Sequence, residues 1–85
     1  SATQFTARLN KKGIKLHRKT RMLYRGRYVF INGESFLVAG KDLACLKVLA
    51  DHRLLKPNAL IHASTDLIDS LHHWYKQGWL ADPVN

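Results

Sequence analysis

The sequence is short of almost everything that chemistry needs. It has one cysteine, Cys45, in 85 residues, so no internal disulfide can form, which fits a reducing compartment. No apolar run approaches the roughly 20 residues required to cross a bilayer, and residues 1–5 show no charged segment followed by an apolar signal core. Membrane and secreted classes are therefore not expected, and the expected location is the cytoplasm. No glycine-rich loop is present to cradle a phosphate. Ser35, Ser64, Ser70 and Cys45 have no sequence sign of an activating base. The five histidines, His17, His52, His62, His72 and His73, contain no His-x-Asp, His-x-Glu or His-x-x-x-His spacing, and Cys45 has no cysteine neighbour to complete a zinc site. His72 and His73 point about 100° apart on a helix, so one is expected exposed and the other partly packed.

Negative charge is also scarce, and its distribution is uneven. No Asp or Glu precedes Glu34, while nine cations do: Arg8, Lys11, Lys12, Lys15, Arg18, Lys19, Arg21, Arg25 and Arg27. Residues 1–33 thus carry +9, and the five basic and six acidic residues of 34–85 leave a net of −1. A one-sided cation cluster attracts polyanions and releases their counterions on docking. Nucleic acid, ribosomal RNA or DNA, is the natural ligand class, with each of the nine as a phosphate contact and none as a base reader. The competing reading is a solvated cationic face, or one that pairs with an acidic neighbouring domain.

What is present suits one small α+β domain. Apolar residues make up 46% of the chain, enough to support a single modest core. Thr3 or Thr6 can cap a short first helix with Phe5 and Leu9 on its buried side, stopped at Lys11-Lys12-Gly13. Ile14, Leu16 and the Leu23-Tyr24 region alternate with cations as short strands do. Residues 28–38 predict a β-hairpin around Asn32-Gly33, with Ile31 beside Glu34 and Val29 near Phe36. A helix is expected from about Asp42 to His52, and a short helical turn from Pro57 to His62. A last helix capped by Ser64 or Thr65 should carry Leu67, Ile68, Leu71, Trp74 and Tyr75 and stop at Gly78. Trp79-Leu80-Ala81 is expected to form a final strand returning to the hairpin, with residues 82–85 frayed. The order is winged-helix-like, although the main hairpin precedes the helical cluster. The last helix offers Asp66 and Asp69 near its N-terminus, which would repel phosphate and argue against insertion into a DNA groove.

Gly13-Ile14-Lys15-Leu16-His17-Arg18, Arg21-Met22-Leu23-Tyr24, the Phe30-Ile31-Asn32-Gly33-Glu34 hairpin, Leu46-Lys47-Val48-Leu49-Ala50-Asp51 and Leu71…Gly78-Trp79 occur in an order and spacing that spans nearly all of residues 5–81. Together they resemble the C-terminal winged-helix domain of bacterial cupin/JmjC-type ribosomal oxygenases, which hydroxylate an arginine of a large-subunit ribosomal protein. The resemblance implies that residues 1–85 are a single accessory domain forming the C-terminal part of a larger protein. Iron and 2-oxoglutarate would then be held by a separate catalytic cupin domain through a His-x-Asp…His set. This sequence lacks that set, so no catalytic residue carries over. The expected partners are the cupin domain or another protein, with ribosomal RNA or DNA as candidates for the basic surface. A freestanding nucleic-acid-binding protein is the rival reading, and an independent small enzyme is the weakest.

Overall fold

A computed structural model describes residues 2–83. Helix α1, Ala2–Lys12, buries Phe5 and Leu9 one turn apart and ends in Lys11 and Lys12, cations that complement the carbonyl end of the helix. Both Thr3 and Thr6 lie inside the helix, so neither is its cap, and the Thr6 hydroxyl instead donates back to the Ala2 carbonyl at 3.0 Å. Gly13 ends the helix in the left-handed region, with φ 78° and its N–H on the Leu9 carbonyl at 2.9 Å. A Cβ there would lie 2.0 Å from the Leu55 carbonyl oxygen. The end of helix α1 and the backbone at Leu55 thus meet at a position only glycine can fill.

Among the described residues, six short strands form two separate three-stranded antiparallel sheets. Strand β1, Ile14–Leu16, is the centre of the first and lies between β5, Leu54–Leu55, and β6, Leu80–Ala81. Ile14 pairs with Leu55, and Leu16 with Leu80; all four are buried. The final strand therefore returns to β1 and not to the hairpin. The deciding contacts are local to the 17–20 turn: the His17 N–H and the Thr20 hydroxyl both donate to the Trp79 carbonyl, at 2.9 and 2.7 Å.

The second sheet, in the order β2-β3-β4, consists of Met22–Arg25, Tyr28–Ile31 and Glu34–Leu37. The expected hairpin is its β3-β4 half, with Ile31 opposite Glu34 and Val29 opposite Phe36. Asn32 and Gly33 turn it with φ 47° and 88°, the pair of positive angles a type I′ turn requires. A second two-residue turn, Gly26-Arg27, joins β2 to β3, with Arg25 opposite Tyr28. Gly26 has φ 58° and occupies the first central position, where glycine favours hairpin closure.

Helix α2 runs from Gly40 to His52, two residues earlier than its apolar period suggests, and buries Cys45, Leu46 and Leu49. Pro57–Leu60 is a single 3-10 turn, two residues shorter than expected. Helix α3, Thr65–Lys76, buries Leu67, Leu71 and Trp74. Ser64 caps it by accepting the Leu67 N–H at 3.0 Å. The Gly78 N–H reaches the Tyr75 carbonyl and the Trp79 N–H the Trp74 carbonyl, both at 3.0 Å, a Schellman closure that fits the φ of 83° at Gly78. The core joins these helices to the inner residues of both sheets: Phe5 and Leu9 from α1, Val29 and Ile31 from β3, Leu49 from α2, and Leu71 and Trp74 from α3. Asp82 is held in place, accepting the Tyr75 hydroxyl at 3.3 Å. Residues 84 and 85 of the segment expected to fray lie outside the described residues.

Candidate nucleic-acid interface

Eight of the nine early cations are exposed; Lys15, on the central strand β1, is half-buried. They occupy three structural settings. Arg8, Lys11 and Lys12 lie on α1. Arg8 is already engaged: its guanidinium is 3.9 Å from the Asp82 carboxylate and 5.1 Å from the centre of the Tyr75 ring. Both contacts are on the surface and contribute little to stability, but they occupy the side chain. Lys15 pairs with Leu54 and Ala81 inside the first sheet. Arg18 and Lys19 lie in the 17–20 turn, Arg21 immediately precedes strand β2, Arg25 ends that strand and Arg27 lies in the β2-β3 turn.

Arg53 holds this last region in shape. It ends α2 in the left-handed conformation, with φ 60°, and its guanidinium donates to the carbonyls of His17, Arg18 and Thr20 at 3.0, 3.4 and 2.9 Å. Its own carbonyl accepts the Leu16 N–H at 3.0 Å. The Lys19 N–H closes on His17 Nδ1 at 3.2 Å. The turn that carries Arg18 and Lys19 is thus tied to α2 and β6 and is not a loose basic tail. Sequence reading does not find Arg53, because a cation one residue past a helix gives no hint that it will meet three carbonyls more than thirty residues away.

The strand register divides β2, β3 and β4 into two unlike faces. The inner face carries Met22, Tyr24, Val29, Ile31 and Phe36. Tyr24 donates to the Asp51 carboxylate on α2 at 2.9 and 3.1 Å, a bond that raises its pKa by stabilising the phenol. The Lys47 ammonium lies 5.4 Å from the centre of the same ring, and Phe36 meets Trp74 at 5.5 Å between ring centres. The outer face carries Arg21, Leu23 and Arg25 from β2 and its lead-in, Tyr28 and Phe30 from β3, and Ser35 and Leu37 from β4. Leu23, Leu37, Tyr28 and Phe30 are 69%, 62%, 52% and 39% exposed. The alternation of apolar residues with cations predicts short strands but does not single out these apolar side chains. The signal was present: an Asn-Gly turn that puts Val29 and Phe36 on the inside puts Tyr28 and Phe30 on the outside.

The histidines do not converge. Among the described residues, no three His, Cys, Asp or Glu side chains gather to hold a metal ion. His72 is half-buried and stacks on Phe5 at 4.8 Å between ring centres, whereas His73 is exposed. Loss of hydration, and then the nearby Lys76, lower the pKa of His72. Cys45 is buried, and burial with Asp42 nearby pushes its pKa up to about 11, so the thiol stays protonated and unreactive near neutral pH. A crevice of about 260 Å³ between β4 and α3 is lined by Phe36, Leu46, Leu67 and Trp74, with Asp42 and Asp66 beside them. Asp42 is committed to Ser64, accepting its N–H at 3.1 Å and its hydroxyl. The indole N–H of Trp74 is buried with no hydrogen-bond partner among the described residues. On α3, Asp66, Asp69, His73 and Lys76 are exposed, so the face that a groove-reading helix would present carries two carboxylates.

The described residues thus contain a basic turn and sheet face built on a small α+β scaffold. No helix among them is long and apolar enough to cross a membrane. The model of the ROXA-like winged helix family matches residues 2–81. No curated protein and no solved structure matches the chain.

Proposed function

Since the chain belongs to the ROXA-like winged helix family, we propose that it is the noncatalytic accessory domain of an iron- and 2-oxoglutarate-dependent, cupin-type ribosomal oxygenase. On this reading it supports the catalytic domain through protein contacts and docks the enzyme on its ribosomal substrate. The family match over residues 2–81 is the observation that carries the reading. On this reading iron and 2-oxoglutarate would be held by the separate catalytic domain and not by this chain. The cytoplasm, where ribosomes work, is the proposed location. The docking surface is the set Arg8, Lys11, Lys12, Lys15, Arg18, Lys19, Arg21, Arg25 and Arg27, acting as phosphate contacts, with Arg8 the weakest member since Asp82 and Tyr75 already occupy it.

The test is titration of the chain with labelled ribosomal RNA fragments and duplex DNA at about 50 and 200 mM salt. Phosphate-driven docking predicts binding that weakens steeply between the two. The triple replacement Arg18→Ala, Lys19→Ala, Arg21→Ala should remove most of it while leaving the fold intact. Absence of binding at the lower salt removes the docking role and leaves a protein-contact appendage. The +9 of residues 1–33 also favours a second reading, a freestanding nucleic-acid-binding protein. A cupin-coding region upstream in the same reading frame decides for the first, and a frame confined to this domain decides for the second.

A further inference from the structure

We propose that the outer face of the β2-β3-β4 sheet is a stacking platform for single-stranded RNA, with Tyr28 and Phe30 under unpaired bases and Arg21 and Arg25 on the flanking phosphates. The inference rests on the docking reading above and adds the kind of nucleic acid and the residues that select it. Its first support is the face itself. Leu23, Tyr28, Phe30 and Leu37 form a contiguous apolar surface in the register of the sheet, and all four remain exposed. The core gains nothing from them, and open clusters of this kind on small domains mark binding surfaces.

The second support is charge. Arg25 lies on the face opposite Tyr28, Arg21 stands at the lead-in to β2, tied to Asn32, and Arg27 lies in the turn at the other end; all three are exposed. No carboxylate lies on that face: Glu34 pairs with Ile31 in the inner-facing register, and Asp51 meets Tyr24 on the opposite side. A polyanion therefore meets cations there without a repelling partner. A second copy of this chain would bring arginine against arginine, so self-association is disfavoured.

The third support is the aromatic pair. Tyr28 and Phe30 sit two residues apart on the central strand, with ring centres 6.4 Å apart and planes inclined by 28°. At that separation neither ring covers the other, and both keep exposed surface for a base. Bases stacked on aromatic side chains, with the backbone tracked by arginine, are the general means of holding unpaired nucleic acid. In a duplex the bases are stacked on one another and closed to such a sheet, so this platform discriminates for single strands.

The experiment uses the 85-residue chain and a labelled mixed-sequence RNA of about 12 nucleotides, free and annealed to its complement, followed by fluorescence anisotropy at low salt. The expected result is tighter binding of the single strand than of the duplex. Tyr28→Ala and Phe30→Ala should each weaken the single strand about tenfold, within the range for loss of one stacked base, whereas Tyr28→Phe retains it. Thermal melting of the variants checks the fold, which these exposed positions should leave unchanged. Equal affinity for both RNA forms, untouched by either alanine but lost in the Arg18, Lys19, Arg21 triple variant, overturns the platform and leaves phosphate docking in place. Absence of binding to either RNA overturns both and turns the open face into a contact for an apolar, acidic protein surface.

Discussion

The described residues form two three-stranded antiparallel sheets that meet opposite fates. In β5-β1-β6, strands of two or three residues are enclosed between helices, and Ile14, Leu16, Leu55 and Leu80 are all buried. In β2-β3-β4, strands of four residues bury only the inner face and leave Leu23, Tyr28, Phe30 and Leu37 open. Size does not explain the contrast, since the sheet with more backbone pairing is the one left half bare. The first sheet joins the two ends of the domain, holding β1 near the N-terminus against β6 near the C-terminus. The second is inserted between β1 and α2 and touches the core from one side. One sheet is scaffold, and the other is a surface mounted on it.

The sharpest way to break the comparison is at Gly13. Adding a methyl group there puts a Cβ 2.0 Å from the Leu55 carbonyl oxygen, an obstacle that cannot rotate away, at a φ of 78° that L-residues resist. Gly13→Ala should destabilise the domain by about 3 kcal/mol, combining left-handed strain with displacement of β5. Urea unfolding measures it. A loss below about 1 kcal/mol would mean that α1 and β5 can separate at little cost, and that the first sheet is not the rigid frame described.

Arg53 offers the next test, because it links the two sheets through the 17–20 turn. Arg53→Ala removes the donors to the His17, Arg18 and Thr20 carbonyls while keeping the left-handed backbone under strain. A loss of about 1–2 kcal/mol is expected, the lower part of the range for charged donors because the residue is exposed. Arg53→Gly loses the same donors but relaxes the backbone and should fall less. Equal losses in the two variants would show that the φ of 60° costs nothing here. Amide exchange at Lys19 and Thr20 should quicken in both, since the turn loses its anchor while the sheets persist.

Much of this arrangement was legible in the sequence, for identifiable reasons. Asn32-Gly33 gives one turn geometry and hence the register of β3 and β4. The three- and four-residue spacing of Leu46 and Leu49, and of Leu67, Leu71 and Trp74, gives the buried faces of α2 and α3. The partner of β6 was not legible, because two-residue strands carry no period and their pairing is settled by the Trp79 carbonyl meeting His17 and Thr20. Gly26-Arg27 is a second turn that the alternation of cations with apolar residues does not mark out. The nine basic residues were read as one set, yet the fold divides them among a helix, a buried strand and the turn and sheet face. The openness of the aromatic pair is not legible, because propensity makes Tyr and Phe good strand residues without saying which face of the sheet will be covered.

The smallest expected effect sharpens the comparison most, because it is a predicted null on one sheet where the other gives a large loss. Leu23→Thr and Leu37→Thr remove apolar side chains that the core does not use, and threonine, being β-branched, suits an exposed strand position. Each should change stability by no more than about 0.5 kcal/mol, whereas Leu16→Ala in the enclosed sheet should cost about 2–5 kcal/mol by leaving a cavity. Urea midpoints of the three variants settle the contrast. A loss above about 1 kcal/mol at Leu23 or Leu37 would mean that the outer face is packed in solution. The surface would then belong to the fold, and Tyr28 and Phe30 could not stand free to receive a base.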